Sequence, residues 1–419
     1  MREYVVVLLT AALVTFLATP VVRMMAIRLR MMAAPRERDV HVIPTPRGGG
    51  VAMYLGVVAA VLVASRLPAL QRTFDDTQVY AVLVAGGLIC LLGVLDDKWG
   101  LDALTKLTGQ IAAAGVMVLL GVQLAFLFLP VADIGTVSLG PDVGVPLTIL
   151  LTVFAVNALN FIDGLDGLAA GVSAIAALAF FAYSFHLGLT GYVETASAPA
   201  LITAVLAGAC LGFLPHNFSP ARIFMGDSGS MLVGLMLSAA AVTATGGVDA
   251  QTFDSAASLL PLTLPLLVPI AILFIPFTDL VLAVVRRTRQ GRSPFAPDKM
   301  HLHHRLLSIG HSHKRAVLVM YFWAALLSFG AVGMSITGGR VELVVAVGVL
   351  LVVGVVVVLS PRARRAAREA RAAELAAQRE RSRADHPTAR GARAAADRST
   401  DQTTEPAAQA AVRAGQGAR

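Results

Sequence analysis

The sequence predicts an all-α polytopic membrane protein with about 11 transmembrane helices, and three observations predict it. Hydrophobic residues fill 56% of the chain and charged residues only 14%, far from the balance of a soluble domain. Apolar stretches of the ~20 residues that a helix needs to cross a bilayer recur along the sequence. None shows the two-residue alternation of a barrel strand. Backbone polar groups cannot stay unpaired in lipid, so each stretch must be a helix.

In chain order the expected spans are 4–22, 49–65, 79–95, 107–129, 145–162, 168–187, 199–215, 228–245, 259–285, 316–337 and 341–360. The first is followed by Arg23 and lacks a small-residue cleavage pattern, so it reads as a signal anchor. Between the fourth and fifth, PVADIGTVSLGPDVGVP (130–146) alternates briefly with Gly and Pro punctuation, predicting a small hairpin on the outer face. The ninth contains Pro261, Pro265, Pro269 and Pro276, each removing a backbone donor, and is expected to bend or break. Cys90 and Cys210 both fall within apolar spans, which suggests packing and not a disulfide or metal site. Residues 1–360 form one integral-membrane domain. From 361 to 419 the composition changes to Ala, Arg, Glu, Gln and Thr: a basic, largely disordered tail whose first part favours helix on anionic headgroups.

Orientation follows from Lys and Arg. With the N-terminus outside, the inner loops 23–48, 96–106, 163–167, 216–227 and 286–315 hold 17 of the 34 basic residues, and the outer segments hold only Arg2, Arg66, Arg72 and Arg340. The remaining 13 lie in the tail, also inside. The chain is therefore expected to cross its membrane many times, with the N-terminus outside and the C-terminus inside.

The polar blocks HVIPTPRGGG (41–50), DDKWG (96–100), NALNFIDGLDG (157–167), NFSPARIFMGDSGS (217–230) and HLHHR (301–305) all fall at helix ends on that inner face. Asp96 and Asp97 are adjacent carboxylates at a bilayer boundary, which need cations or a metal nearby unless they only cap the next helix. Lys98 and Lys106 are candidates for phosphate contacts. Asn157, Asn160 and Asp163 recur every three residues on one helix face, and Asp166 follows in a Gly-flanked turn. Such residues are costly in an apolar helix unless they line a hydrated cavity. Asp227 starts the eighth span, where exposed N–H groups attract anions. A carboxylate there can meet phosphate only through a cation such as Mg²⁺, although an ordinary N-cap would look the same. His301, His303 and His304 lie among Arg286, Arg287, Arg289, Arg292 and Arg305. Their spacing is not that of a structural zinc site and suits phosphate or sugar hydroxyls better, while His311 and His313 read as solvated. Acids for a metal, bases for phosphates and an apolar wall open to lipid describe phosphoryl transfer from a soluble donor to a lipid acceptor.

These five ordered blocks, with Lys106, Asn217 ten residues before Asp227, and the SPFAPDKMHLHHRL stretch, resemble the polyprenyl-phosphate N-acetylhexosamine-1-phosphate transferases over about residues 1–360. The branch they resemble moves GlcNAc-1-phosphate from UDP-GlcNAc to undecaprenyl or decaprenyl phosphate and releases UMP. The peptidoglycan branch, whose donor is UDP-MurNAc-pentapeptide, carries TPTMGG and HHH where this chain has PTPRGGG, with Arg47, and HLHH. The resemblance implies Asp227 as the Mg²⁺ ligand, with Mn²⁺ able to substitute and Asp97 a second candidate ligand. It implies Asp96 and Asp97 as the pair that activates the lipid phosphate. Asn160, Asp163 and Asn217 would line the nucleotide site, and His301, His303 and His304, beside Arg305, would meet the donor phosphates and sugar. UDP-GlcNAc, a polyprenyl phosphate and the membrane are the expected partners, a homodimer is left open, and no nucleic acid is expected. A prenyltransferase would need Asp where Gly100 stands, and a CDP-alcohol phosphotransferase would need Arg where Gly171 stands. A transporter of a phosphorylated solute would hold its charges near the midplane, not at the inner boundary.

Overall fold

The computed structural model describes residues 1–33, 44–129, 135–190, 197–246, 288–289, 291, 313–337 and 340–359, with 369, 372–373 and 375–377 in the tail. The helices are α1 (Arg2–Arg28), α2 (Gly49–Ala64), α3 (Gln78–Trp99), α4 (Ala103–Leu119), α5 (Pro141–Ile162), α6 (Leu168–Leu189), α7 (Ala198–Asn217), α8 (Gly226–Gly246), α9 (His313–Ile336) and α10 (Val341–Leu359). A 3₁₀ helix, Pro68–Phe74, turns away from α2 at 110°. Ten of the eleven expected spans therefore meet a helix, and the ninth, 259–285, lies outside the described residues. Among the described residues seven helices are long and apolar enough to cross a bilayer, or eight with the bent pair, which bears out a polytopic helical protein without confirming the count of eleven.

The fourth span is where the expectation fails. The long apolar run 107–129 predicts a single helix, but α4 starts at Ala103, where Asp102 accepts from Leu104 N and Thr105 N at 3.0 Å, and stops at Leu119. Gly121 follows with φ +102, and the rest of the run becomes β3 (Phe126–Leu129), antiparallel to β4 (Gly135–Ser138) with Leu127 opposite Val137. The hairpin exists, but its first strand comes from the stretch assigned to helix, and 141–146 begins α5. An apolar run of this kind does not declare its period. A second short pair, β1 (Met32–Ala33) with β2 (Thr45–Pro46), joins the ends of the loop between α1 and α2.

α8 is the centre of the bundle. Within its membrane-length window 94% of residues are buried, against 83% in α7, 72% in α6 and 28% in α1 and in α9. It packs against α2, α3, α5 and α7; α1 covers α2 and α7, α9 leans on α6, and α10 on α9. A helix apolar all round belongs inside, and the Ala, Gly and Ser of GDSGSMLVGLMLSAAAVTATG let four neighbours approach it closely. The charged end of this central helix is consequently surrounded by the ends of its neighbours. Cys90 and Cys210 are buried and unlinked, as expected of packing residues.

Candidate active site

Asp227 stands in the first turn of α8, immediately after Gly226, whose φ of +71 only glycine adopts at little cost. The exposed N–H groups of this turn are met by a side chain from another helix. Asp97, in the last turn of α3, accepts from Asp227 N at 3.0 Å, from Ser228 N at 3.2 Å and from Ser228 Oγ at 3.0 Å. Asp97 thus caps α8, while Asp102 caps the helix that follows α3; the sequence-based alternative of a local cap was right in kind and wrong in partner. Both carboxylate oxygens of Asp97 are engaged and the residue is buried, so it braces Asp227 and is poorly placed as a second metal ligand.

Close backbone approach makes that contact possible. A Cβ on Gly93, one turn before Asp97, would lie 2.3 Å from Ser228 Cα, and a Cβ on Gly50 would lie 2.2 Å from Gly229 N. Gly49 N and Gly50 N donate to Phe224 O and Met225 O at 3.1 Å, and Phe224 N donates to Pro46 O at 2.8 Å. The PTPRGGG and FMGDSGS blocks are therefore one interlocked unit, a role that the reading of their charges alone missed. Replacing Gly50 by Ala is expected to cost stability at the upper end of the ~1–3 kcal/mol of an overpacked core. Gly115→Ala on α4, where a Cβ meets nothing within 4 Å, is the matched control. A thermal melt in which both variants unfold alike would remove the steric argument.

The charged groups gather around Asp227. Lys106, in the first turn of α4, pairs with Asp96 Oδ2 at 2.9 Å and with Asp227 Oδ2. Leu101 N donates to Asp96 Oδ1 at 2.8 Å, and the Asp96 and Asp227 carboxyls are within hydrogen-bonding reach of each other. The Asn160 amide donates to Ser230 Oγ at 3.0 Å and also meets the Asp227 carboxylate. Lys106 and Asp227 keep 22% of their side-chain surface exposed and Asp96 13%, so the cluster opens to the outside of the bundle.

Asp163, just past the end of α5, completes the group. Burial first, then the charges of Asp227 and Asp97, push its carboxyl up to about 7, against a partial offset from Arg47 and the Gly226 N–H. The sign follows directly. A carboxyl held above its ordinary value of 3.8 favours the protonated fold, so the penalty is absent at low pH and grows until the pH passes about 7. Asp163→Asn should thus unfold at the same temperature as the parent at pH 4, and above it at pH 8 in chelator, while losing turnover. A variant less stable than the parent at pH 8 would contradict the like-charge environment.

Other expected site residues serve the frame. Asn217 accepts from Gly167 N and donates to Ile223 O, both at 3.0 Å, and is buried. Asp166 is buried and accepts from Ala221 N at 3.0 Å through Oδ2. Together they tie the α5–α6 turn to the loop before α8, so they position the site and do not face it. Asn157 donates to Gln110 Oε1 at 2.7 Å, and Gln110, buried on α4, escaped the sequence reading because one Gln in an apolar helix gives no periodic signal. His313 was expected to be solvated; it is buried, and its Nε2 accepts from Asp166 N at 3.0 Å. Tyr321 donates to Gly167 O, so α9 clasps the same turn. His301, His303, His304, Arg305 and His311 lie outside the described residues.

No group of three or more His, Cys, Asp or Glu that could hold a metal forms among the described residues. Mg²⁺ does not require one: it takes one or two carboxylates, keeps waters and completes its shell with substrate phosphates. Asp227 and Asp96 offer hard oxygen donors on either side of the Lys106 ammonium, a position that already demands a cation. The residues present fit such an ion.

Residues 79–245 match the glycosyl transferase family 4 model. The chain is 53% identical over 370 residues, 87% of this chain and 90% of the relative, to a decaprenyl-phosphate N-acetylglucosaminephosphotransferase of Mycolicibacterium smegmatis. It is 51% identical to the protein of the same description from Mycobacterium leprae, over 86% of this chain and 90% of that one. Identity is 34%, over 78% of this chain and 95% of the relative, to a phospho-N-acetylmuramoyl-pentapeptide-transferase of Desulforudis audaxviator.

Proposed function

The chain belongs to glycosyl transferase family 4, and we propose that it is the membrane transferase that moves GlcNAc-1-phosphate from UDP-GlcNAc to a polyprenyl phosphate, releasing UMP. The observation that carries this reading is the position of Asp227. It stands at the N-terminus of the central helix, ringed by Asp96, Lys106, Asn160 and Asp163, on the face where the polar blocks converge. The similarity at 51–53% identity to transferases of GlcNAc-phosphate that act on decaprenyl phosphate supports the donor and the lipid class.

In this reading an oxygen of the lipid phosphate attacks the β-phosphorus of UDP-GlcNAc. The new P–O bond forms as the bond to the UMP oxygen breaks, and the electron pair leaves with UMP. The polyprenyl phosphate is already an anion at neutral pH, so positioning and charge dispersal are the main demands. Asp227 would hold a Mg²⁺ ion, which when bound disperses charge over the pyrophosphate oxygens. Of the adjacent acids, Asp96 pairs with Lys106 beside Asp227 while both oxygens of Asp97 are tied to the start of α8, so Asp96 is the residue to orient the lipid phosphate and take any proton it carries, and Asp97 keeps α8 in place. Lys106 would meet phosphate oxygens once substrate displaces it from the two carboxylates. Asn160 and Asp163 would face the nucleotide-sugar, and His301, His303, His304 and Arg305 would contact the donor phosphates and sugar. The basic bias of the loops supports an orientation with this face and the C-terminus in the cytoplasm.

The test is direct. Purified protein given UDP-GlcNAc and polyprenyl phosphate should release UMP and form lipid-pyrophosphoryl-GlcNAc in equal amounts, stop with chelator and resume with Mg²⁺ or Mn²⁺. Release of UMP without lipid product, or transport of the donor without cleavage, would reject the reading.

A further inference from the structure

Two arginines without a carboxylate partner meet on the flank of the bundle away from the carboxylate cluster. Arg23, in α1, donates from Nε to the carbonyl of Arg222, in the loop that leads into α8, at 2.9 Å. Both residues are exposed, and among the described residues neither side chain makes an ion pair. Their depth is set by the helix. At about 1.5 Å per residue, α1 runs about 31 Å from Arg2 to Arg23, the thickness of a hydrocarbon core. Arg23 therefore stands at the bilayer boundary, at the same end of the bundle as Asp227. Leu9, Leu13, Phe16 and Pro20, all exposed, recur every three or four positions and form an apolar row along one face of α1 that ends at Arg23. Pro20 ties this row to α7. It has no N–H to give to Phe16 O, and His216 Nε2 donates there instead at 3.1 Å, its ring against that of Phe16 with 4.7 Å between centroids. α1 packs on α2 and α7, whereas Asp96, Lys106 and Asn160 come from α3, α4 and α5, on the other side of α8.

We propose that Arg23 and Arg222 form a binding site for the headgroup of an anionic phospholipid, with an acyl chain laid along the apolar row. Charge decides the class. Guanidinium groups match phosphate oxygens in shape and charge, and basic pockets at the inner ends of membrane helices suit anionic headgroups. A zwitterionic lipid would bring its own cation to a place that already holds two. A free phosphate would use the charges and leave the row bare; a lipid uses both. A phosphate held between Arg23 and Arg222 also fastens α1 to the loop that ends at Asp227, so occupancy should stabilise the fold.

The experiment uses the full chain in phosphatidylcholine nanodiscs doped with increasing fractions of phosphatidylglycerol. The unfolding temperature should rise saturably with that fraction. Arg222→Gln should lose most of the rise. In undoped discs it should unfold with the parent, because only the backbone of Arg222 bonds to the protein. Arg23→Gln should lose the rise as well, from a lower starting temperature, since it also gives up the bond to Arg222 O. Arg28→Gln is the control: this residue is exposed at the end of α1 but on another face, and the variant should keep the full response. The proposal is overturned if no saturable rise occurs or if glycerol 1-phosphate in solution reproduces it, which would make the ligand a free phosphate. It is equally overturned if the rise survives in Arg222→Gln, or if Arg28→Gln removes as much of it, since either result describes a diffuse attraction of basic loops to a charged surface.

Discussion

Asp227→Asn should lower turnover by about 10³-fold or more, the scale on which loss of a charge-stabilising group acts, and leave the fold intact. The second half of that expectation is specific to this structure. The start of α8 is capped by Asp97 through the backbone N–H of Asp227 and through Ser228, so a change in the 227 side chain leaves the cap in place. Asn gives up the Lys106 ion pair and at the same time relieves the crowding of like charges with Asp96 and Asp163, two changes that oppose each other. Asp97→Ala should behave differently: it loses the cap itself and should show both inactivity and a stability loss of about 1–2 kcal/mol or more. Thermal unfolding, turnover and Mn²⁺ binding measured on the two variants separate the roles. Asp227→Asn should lose the Mn²⁺ signal while melting like the parent. An Asp227→Asn protein with turnover within tenfold of the parent would end the assignment of this residue to the metal.

The positions of the chemistry were legible because charge in an apolar helix is conspicuous. Asp96, Lys106, Asn160, Asp163 and Asp227 each stand at or beside the inner end of a hydrophobic span, and the structure gathers all five. What each acid does was not legible, because that depends on contacts between distant segments. Asp97 and Asp227 are 130 positions apart, and no local pattern distinguishes an acid that caps a remote helix from one that binds a metal. The same limit hid His313, read as solvated in a less constrained stretch, and Gln110, whose partner Asn157 lies 47 positions away. The glycines of PTPRGGG and Gly93 carry no charge to mark them, and their part shows only in how closely their backbones approach Ser228 and Gly229. The α4 boundary failed for a simpler reason: apolar composition alone does not separate the end of a helix from an edge strand.

The largest effect of all is expected in donor choice. UDP-GlcNAc should be converted with polyprenyl phosphate to lipid-pyrophosphoryl-GlcNAc and UMP, while UDP-MurNAc-pentapeptide is left essentially untouched, a ratio of about 10⁴ or more where a site both lacks room and leaves polar groups unpaired. The interlocked unit at the start of α2 makes the argument concrete. Arg47 N donates to Met31 O at 2.9 Å, and the next residues bond to Phe224 and Met225, so the arginine is fixed at the rim with its charge felt by Asp163. A lactyl-pentapeptide on the sugar would carry its own carboxylates and bulk into whatever space Arg47 and the 301–305 loop leave. His301→Ala, His303→Ala or His304→Ala should weaken the GlcNAc reaction strongly by removing contacts to the departing UMP phosphate. Arg47→Met, the residue of the TPTMGG pattern, should narrow the discrimination mainly by raising KM for UDP-GlcNAc. Paired kcat/KM values for the two donors settle the matter: a pentapeptide donor that reacts faster than UDP-GlcNAc would place the chain in the other branch, yet leave Asp227 and its ring of partners where they are.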